Sequence, residues 1–154
     1  MLKLFLLAKR RILSSARYAV CRMLKIPVKP LFINFIATYM CNSRCSMCDI
    51  WKKYSTNSKK YHKTLADELT VSDIECFIKR DKDFLSDLKS IGFTGGEAFL
   101  RPDFVDICLS IKELLPQASI GILSNAINSE IVISKTREVL KKVNSESLWI
   151  GSSL

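Results

Sequence analysis

The first 48 residues contain no aspartate or glutamate. Nine cations stand there instead, Lys3, Lys9, Arg10, Arg11, Arg17, Arg22, Lys25, Lys29 and Arg44, whereas Asp49 to Leu154 carries fifteen charges of each sign. The net charge of +9 thus belongs to one end of the chain, which argues against a nucleic-acid-binding body, and no nucleic-acid partner is expected. Histidine is almost missing: His62 is the only one, and it sits on a polar stretch where a solvated side chain is the default. Long apolar runs are missing too. Leu4 to Ala8 is broken by Lys9-Arg10-Arg11, too soon for a secretory core or a membrane span. Internal repeats and low-complexity stretches are absent.

What is present suits one globular domain, since 154 residues at 48% hydrophobic can bury a core. Six cysteines raise the question of disulfides, but three of them, Cys41, Cys45 and Cys48, are grouped at metal-ligand spacing. With no secretory signal, a reducing cytoplasm is the expected location. Cys21, Cys76 and Cys108 stand singly in apolar helical patterns and read as buried free thiols.

Residues 2–26 read as an amphipathic helix ended by Pro27 and Pro30, forming an N-terminal segment 1–29 ahead of a domain 30–154. Leu2, Phe5, Leu6, Ile12, Leu13, Ala16, Ala19, Val20, Met23 and Leu24 fall on one side of it, with Lys3, Arg10, Arg11, Arg17, Arg22 and Lys25 on the other. Two readings stay open. The helix lies peripherally on the inner face of an anionic membrane, or it packs its apolar stripe on the body of the protein.

Beyond the linker, strand-like runs alternate with helical ones: strand Leu31–Thr38, an exposed polar loop over Lys52–Lys63, helix Val71–Arg80 capped by Thr70 and Asp73, a turn region over Asp81–Asp87, and strand Leu88–Thr94. A helix opened by Pro102 and running to Leu115, strand Ser119–Ser124, helix Ile131–Lys142 and strand Ser147–Gly151 follow. This alternation predicts an α/β fold of parallel strands, whose ligand sites lie at the C-terminal strand ends. The cysteines follow the first strand, Gly95-Gly96-Glu97 the second, Ser124-Asn125 the third, and Ser152-Ser153 the fourth.

Three thiolates spaced CxxxCxxC on a short loop can hold three irons of a cubane cluster and leave the fourth iron open. The triplet alone is also compatible with a zinc knot or a fully ligated cluster, but zinc wants a fourth ligand close by and none is evident. The glycine pair and the carboxylate at the next strand end narrow the choice.

Together, Cys41-xxx-Cys45-xx-Cys48 and Phe93-Thr94-Gly95-Gly96-Glu97 resemble the radical S-adenosylmethionine superfamily, over about Leu31 to Leu154. Arg101-Pro102-Asp103 and Leu123-Ser124-Asn125 extend the likeness, which is closest to SPASM-type members acting on peptides, proteins or small metabolites. The resemblance implies an incomplete (βα)6 partial TIM barrel, preceded by the N-terminal helix and represented by about four parallel strands without a fifth or sixth. It also implies a [4Fe–4S] cluster on Cys41, Cys45 and Cys48, with S-adenosylmethionine chelating the open iron. In the family, one electron splits the cofactor into methionine and a 5′-deoxyadenosyl radical that takes a hydrogen atom from a substrate.

By the same resemblance, Gly95, Gly96 and Glu97 meet the cofactor's amino group. Ser124, Asn125 and Ser153 meet its ribose or carboxylate, and Met47 takes the place of an aromatic residue against the adenine. A small-molecule or peptide substrate and a reductant such as flavodoxin or ferredoxin are the implied partners. The alternatives carried forward are a cluster-binding module without turnover and a zinc-binding interaction protein.

Overall fold

The computed structural model describes residues 2–54, 60 and 63–152, with the backbone alone at residues 2–8, 10 and 11. Strands β1 (Phe32–Thr38), β2 (Ser90–Gly95), β3 (Ser119–Ser124) and β4 (Leu148–Ser152) alternate with helices α2 (Val71–Arg80), α3 (Phe104–Leu114) and α4 (Ser129–Leu140), and α1 (Leu2–Met23) precedes them. All four strands are parallel and lie in the order β1-β2-β3-β4. This open sheet is the partial barrel that the alternation predicts.

Period-two patterning sorts the sheet into two faces. Ile91 and Phe93 of β2 and Ile120 and Ile122 of β3 are buried with Ile74 and Ile78 of α2, Phe104, Ile107 and Ile111 of α3 and Val139 of α4. Phe93 anchors this layer, its ring 5.8 Å from Phe35 and 5.7 Å from Phe104, both edge to face. The alternate residues Phe32, Ile36, Leu123 and Trp149 are about half exposed on the opposite face. That face is the inner wall of a barrel that four strands do not close.

Element ends depart from the apolar periodicity where a specific backbone bond wins. α1 stops at Met23 because Lys25 takes a left-handed φ of 53°, with Ile26 N–H bonded to Cys21 O at 2.9 Å and Lys25 N–H to Arg22 O at 3.3 Å. α4 begins two residues earlier than its apolar pattern because the Asn128 side chain accepts from Ile131 N. α3 begins at Phe104, with Pro102 left in the preceding turn. β2 begins at Ser90, since Leu88 is buried with Leu85 in the turn before it. At α2 the Thr70–Asp73 capping box forms as read: Thr70 N donates to Asp73 Oδ2 at 2.9 Å and Asp73 N to Thr70 Oγ1 at 3.2 Å. Those bonds hold the Asp73 carboxyl below its ordinary value.

Two expectations need correcting. Of the single cysteines only Cys108 is buried, which pushes its thiol up to about 12. Cys76 is exposed because α2 meets the sheet through Ile74 and Ile78 on its other side, and Cys21 is half-buried. The polar stretch after Trp51 is not wholly a loop either, since Ile50–Tyr54 forms a 3-10 helix whose tyrosine is anchored inward. His62 lies outside the described residues.

Phe93→Ala removes the ring that joins β1, β2 and α3. It should lower the unfolding free energy by about 3–5 kcal/mol in urea titrations followed by circular dichroism. A loss below about 1 kcal/mol would be incompatible with this packing.

Candidate cluster and cofactor site

The cysteine loop starts from a fixed base. A register shift between Ile36 and Thr38 ends the regular β1–β2 ladder and buries the Thr38 side chain. Thr38 Oγ1 donates to Glu68 Oε1 at 3.0 Å and accepts from Met40 N at 3.0 Å. The same carboxylate oxygen accepts from Tyr39 N at 2.7 Å and from Tyr54 Oη at 2.5 Å. Burial and that bond to a carboxylate raise the Tyr54 phenol above its ordinary range, so it stays a donor.

Arg101, only 3% exposed, closes the base from the other side. Its Nε and Nη2 reach Asp103 Oδ1 and Oδ2 at 2.6 and 3.1 Å, and Nη2 also donates to Leu69 O. Nη1 donates to Ala37 O at 2.6 Å and stands 3.6 Å from Glu68 Oε2. The guanidinium holds the Asp103 carboxyl below the usual carboxylate range. In the sequence Arg101 stands out only as part of a motif, and neither Glu68 nor Tyr54 belongs to one. The available signal is the acid pair Asp67-Glu68 just ahead of the helix cap Thr70.

The second strand end presses directly on this base. Gly96 N donates to Thr38 O at 2.8 Å and Glu97 N to Met40 O at 2.7 Å. A Cβ at Gly96 would stand 2.0 Å from Met40 O, and Gly95 holds φ at +110° with its own Cβ position 2.5 Å from Thr38 O. Both positions therefore demand glycine, and what they approach is the backbone just before Cys41. Glu97 is 3% exposed and not a solvated turn carboxylate. Its Oε1 accepts from Ser124 Oγ at 3.0 Å and Phe99 N at 3.3 Å, and its Oε2 from Asn125 N at 2.7 Å.

The third strand end completes the circuit. Asn125 Nδ2 donates to Asn42 Oδ1 at 2.9 Å and reaches Cys41 Sγ at 3.8 Å. Ser124 Oγ, buried, also accepts from Ala126 N at 3.0 Å, so this hydroxyl serves the turn. The three strand-end motifs singled out in the sequence are thus one hydrogen-bonded unit. Met47 projects outward at 98% exposure, and Ser153 lies outside the described residues.

The three thiols are free, with Cys45 exposed and Cys41 and Cys48 half-buried. Ser43 N donates to Cys41 Sγ at 3.4 Å, and Ser43 Oγ lies 3.1 Å from Cys45 Sγ. Among the described residues, no three of His, Cys, Asp and Glu converge on a single metal-ion position. A cubane cluster asks for something different, one thiolate on each of three irons, and three free thiols on a solvent-reachable loop with hydrogen-bond donors at two sulfurs fit that demand. Arg44 and Lys52 lie over the Trp51 ring at 5.6 and 5.4 Å, and Lys52 is also paired with Asp49 at 2.6 Å.

Glu68→Ala would strand the Thr38 hydroxyl, the Tyr39 N–H and the Tyr54 hydroxyl, and would leave Arg101 facing one carboxylate fewer. Stability should fall by about 3–5 kcal/mol in a denaturant melt, and Glu68→Gln, which keeps an acceptor oxygen, should cost less.

Residues 35–146 match the family model described as Radical SAM superfamily. Molybdenum cofactor biosynthesis protein 1 of Bos taurus is 32% identical over 97 residues, and that of Homo sapiens 31% over 97 residues. Each alignment covers 63% of this chain and 14% of the relative, so the chain spans about a seventh of those proteins. Among solved structures, Streptococcus suis SuiB bound to S-adenosylmethionine superposes with a TM-score of 0.61 at 20% identity, over 94% of this chain and 30% of SuiB. SuiB bound to its precursor peptide SuiA gives a TM-score of 0.60. The strand order, the cysteine loop and the family match lead to one conclusion: the chain belongs to the radical S-adenosylmethionine superfamily.

Proposed function

We propose that Cys41, Cys45 and Cys48 hold three irons of a [4Fe–4S] cluster, and that S-adenosylmethionine binds at the remaining iron, over the ends of β1, β2 and β3. The observation that carries this reading is the Asn125 side chain, which touches Cys41 Sγ while its backbone N–H is held by Glu97. Through it the ligand loop and the two following strand ends form a single frame. When bound, the cluster supplies the electron that splits the cofactor's sulfonium bond, yielding the 5′-deoxyadenosyl radical that abstracts hydrogen from a substrate.

The residues then have separate tasks. Glu97 Oε2 places negative charge at the strand edge where the cofactor's ammonium would sit, a charge-assisted contact. Gly95 and Gly96 bring the backbone close to the loop, and Asn125 and Ser124 set the third wall. Met47 offers a polarizable thioether to the adenine, and Ser153 would meet the cofactor from the fourth strand. The domain 30–154 carries these tasks. Arg44, beside the cysteines, suits an acidic reductant such as flavodoxin or ferredoxin. The substrate is a small molecule or a peptide, taken against the half-exposed inner wall of the sheet.

A second reading has its own support. The outer edge of β4 has no strand partner among the described residues, an open edge that suits a cluster-binding module completed by a partner. Anaerobic reconstitution with iron and sulfide separates the readings. The catalytic one expects about four irons per chain and release of 5′-deoxyadenosine on reduction with S-adenosylmethionine; a reduced, loaded chain that releases none is the module. Zinc without iron or sulfide after anaerobic purification would identify a zinc-binding interaction protein instead. Cys45→Ala should abolish the cluster's visible absorbance, and iron binding that survives this change defeats the assignment.

A further inference from the structure

The N-terminal helix leaves its apolar stripe unburied. Arg17, from its polar side, reaches down to Asp87 at 2.8 Å, and Cys21, one turn on, is half-buried. Lys29 continues the attachment, donating to Ser86 Oγ at 2.8 Å. The apolar stripe is left in the open: Ile12 is 68% exposed, Leu13 60%, Val20 50% and Met23 77%. Amphipathic helices of soluble domains ordinarily bury that stripe. Here every described side chain of α1 except that of Cys21 is exposed, so the apolar stripe is left unburied.

We infer that this face is a docking surface for an anionic lipid bilayer. Charge complementarity selects that occupant. Eight cations and no acid lie in residues 1–29, so an apolar stripe flanked by Arg22 and Lys25 meets a surface of negative headgroups without an opposing charge on its own segment. Lys9 falls within the stripe and is exposed, and its long stem can bury while the ammonium reaches the phosphates. No described helix is long and apolar enough to cross the bilayer, so the contact is peripheral.

The attachment points fix which way the protein then faces. Ser86 and Asp87 lie in the turn that enters β2, at the N-terminal end of the strands, whereas the cysteine loop leaves the C-terminal end of β1. Seven residues of strand separate the two ends by roughly 20 Å. Docking through α1 therefore turns the cysteine loop away from the lipid, open to soluble partners. Binding itself does not depend on the proposed cluster chemistry and can be measured without it.

The test is sedimentation of the full chain with vesicles of phosphatidylcholine alone, or with one third phosphatidylglycerol. Binding should be at least about tenfold stronger to the anionic vesicles and should weaken in high salt. Val20→Asp and Met23→Asp, with an unchanged thermal melt, should each reduce it about tenfold. Val20→Trp should add fluorescence that brominated lipid quenches, while Trp51 is not quenched. Equal recovery with both vesicle types, indifference to Val20→Asp, or loss of a lipid-free dimer as that variant's only effect would overturn the proposal. The last outcome would assign the face to a second copy of the chain.

Discussion

A buried positive charge sets the geometry around the candidate site. Arg101 has almost no contact with water, and an unpaired guanidinium in that position would cost several kcal/mol. Its donors must therefore all find partners, and the partners come from the end of β1, the approach to α2 and the turn before α3. Satisfying one side chain in this way fixes three segments relative to one another. Glu68 then carries the constraint outward, because the carboxylate that faces Arg101 also accepts from the first residues of the cysteine loop.

The consequence for the site is a division between a rigid base and an adaptable rim. Thr38, Tyr39 and Met40 are pinned by hydrogen bonds and by the close approach of Gly96, while Cys45 and Met47 stand at the surface. Ligand thiols on such a rim can settle around an inorganic cluster without disturbing the sheet. The rest of the frame, Glu97 and Asn125, is already bonded to its neighbours, so binding a charged nucleoside would need little ordering of the protein.

Much of this was legible in the sequence because it depends on local periodicity and on spacing. The alternation of apolar runs located all four strands, and the cysteine and glycine positions located the strand ends that meet. The roles inside the site were less legible. Gly95 and Gly96 read as room for a ligand, yet their lack of a side chain is used first by the Thr38 and Met40 carbonyls, a contact between segments more than fifty residues apart in a chain whose pairing is set by tertiary structure. Glu68 escaped notice for the same reason, since its partners at Thr38, Tyr39 and Arg101 lie 29 to 33 positions away. The two readings of the N-terminal helix could not be separated by periodicity, which reports that a face is apolar and not which way it turns.

Strand order bears on how this protein comes into being. Neighbours in the sheet are neighbours in the chain, so each new pairing closes only the segment between consecutive strands, a modest entropic step for a parallel sheet. Every bond described at the base of the cysteine loop is made by residues that precede Ala126. During synthesis these bonds around the thiols can therefore form once Asn125 has left the ribosome, before β4 is available to join the sheet, and Lys135 of α4 then adds its bond to Arg101 O.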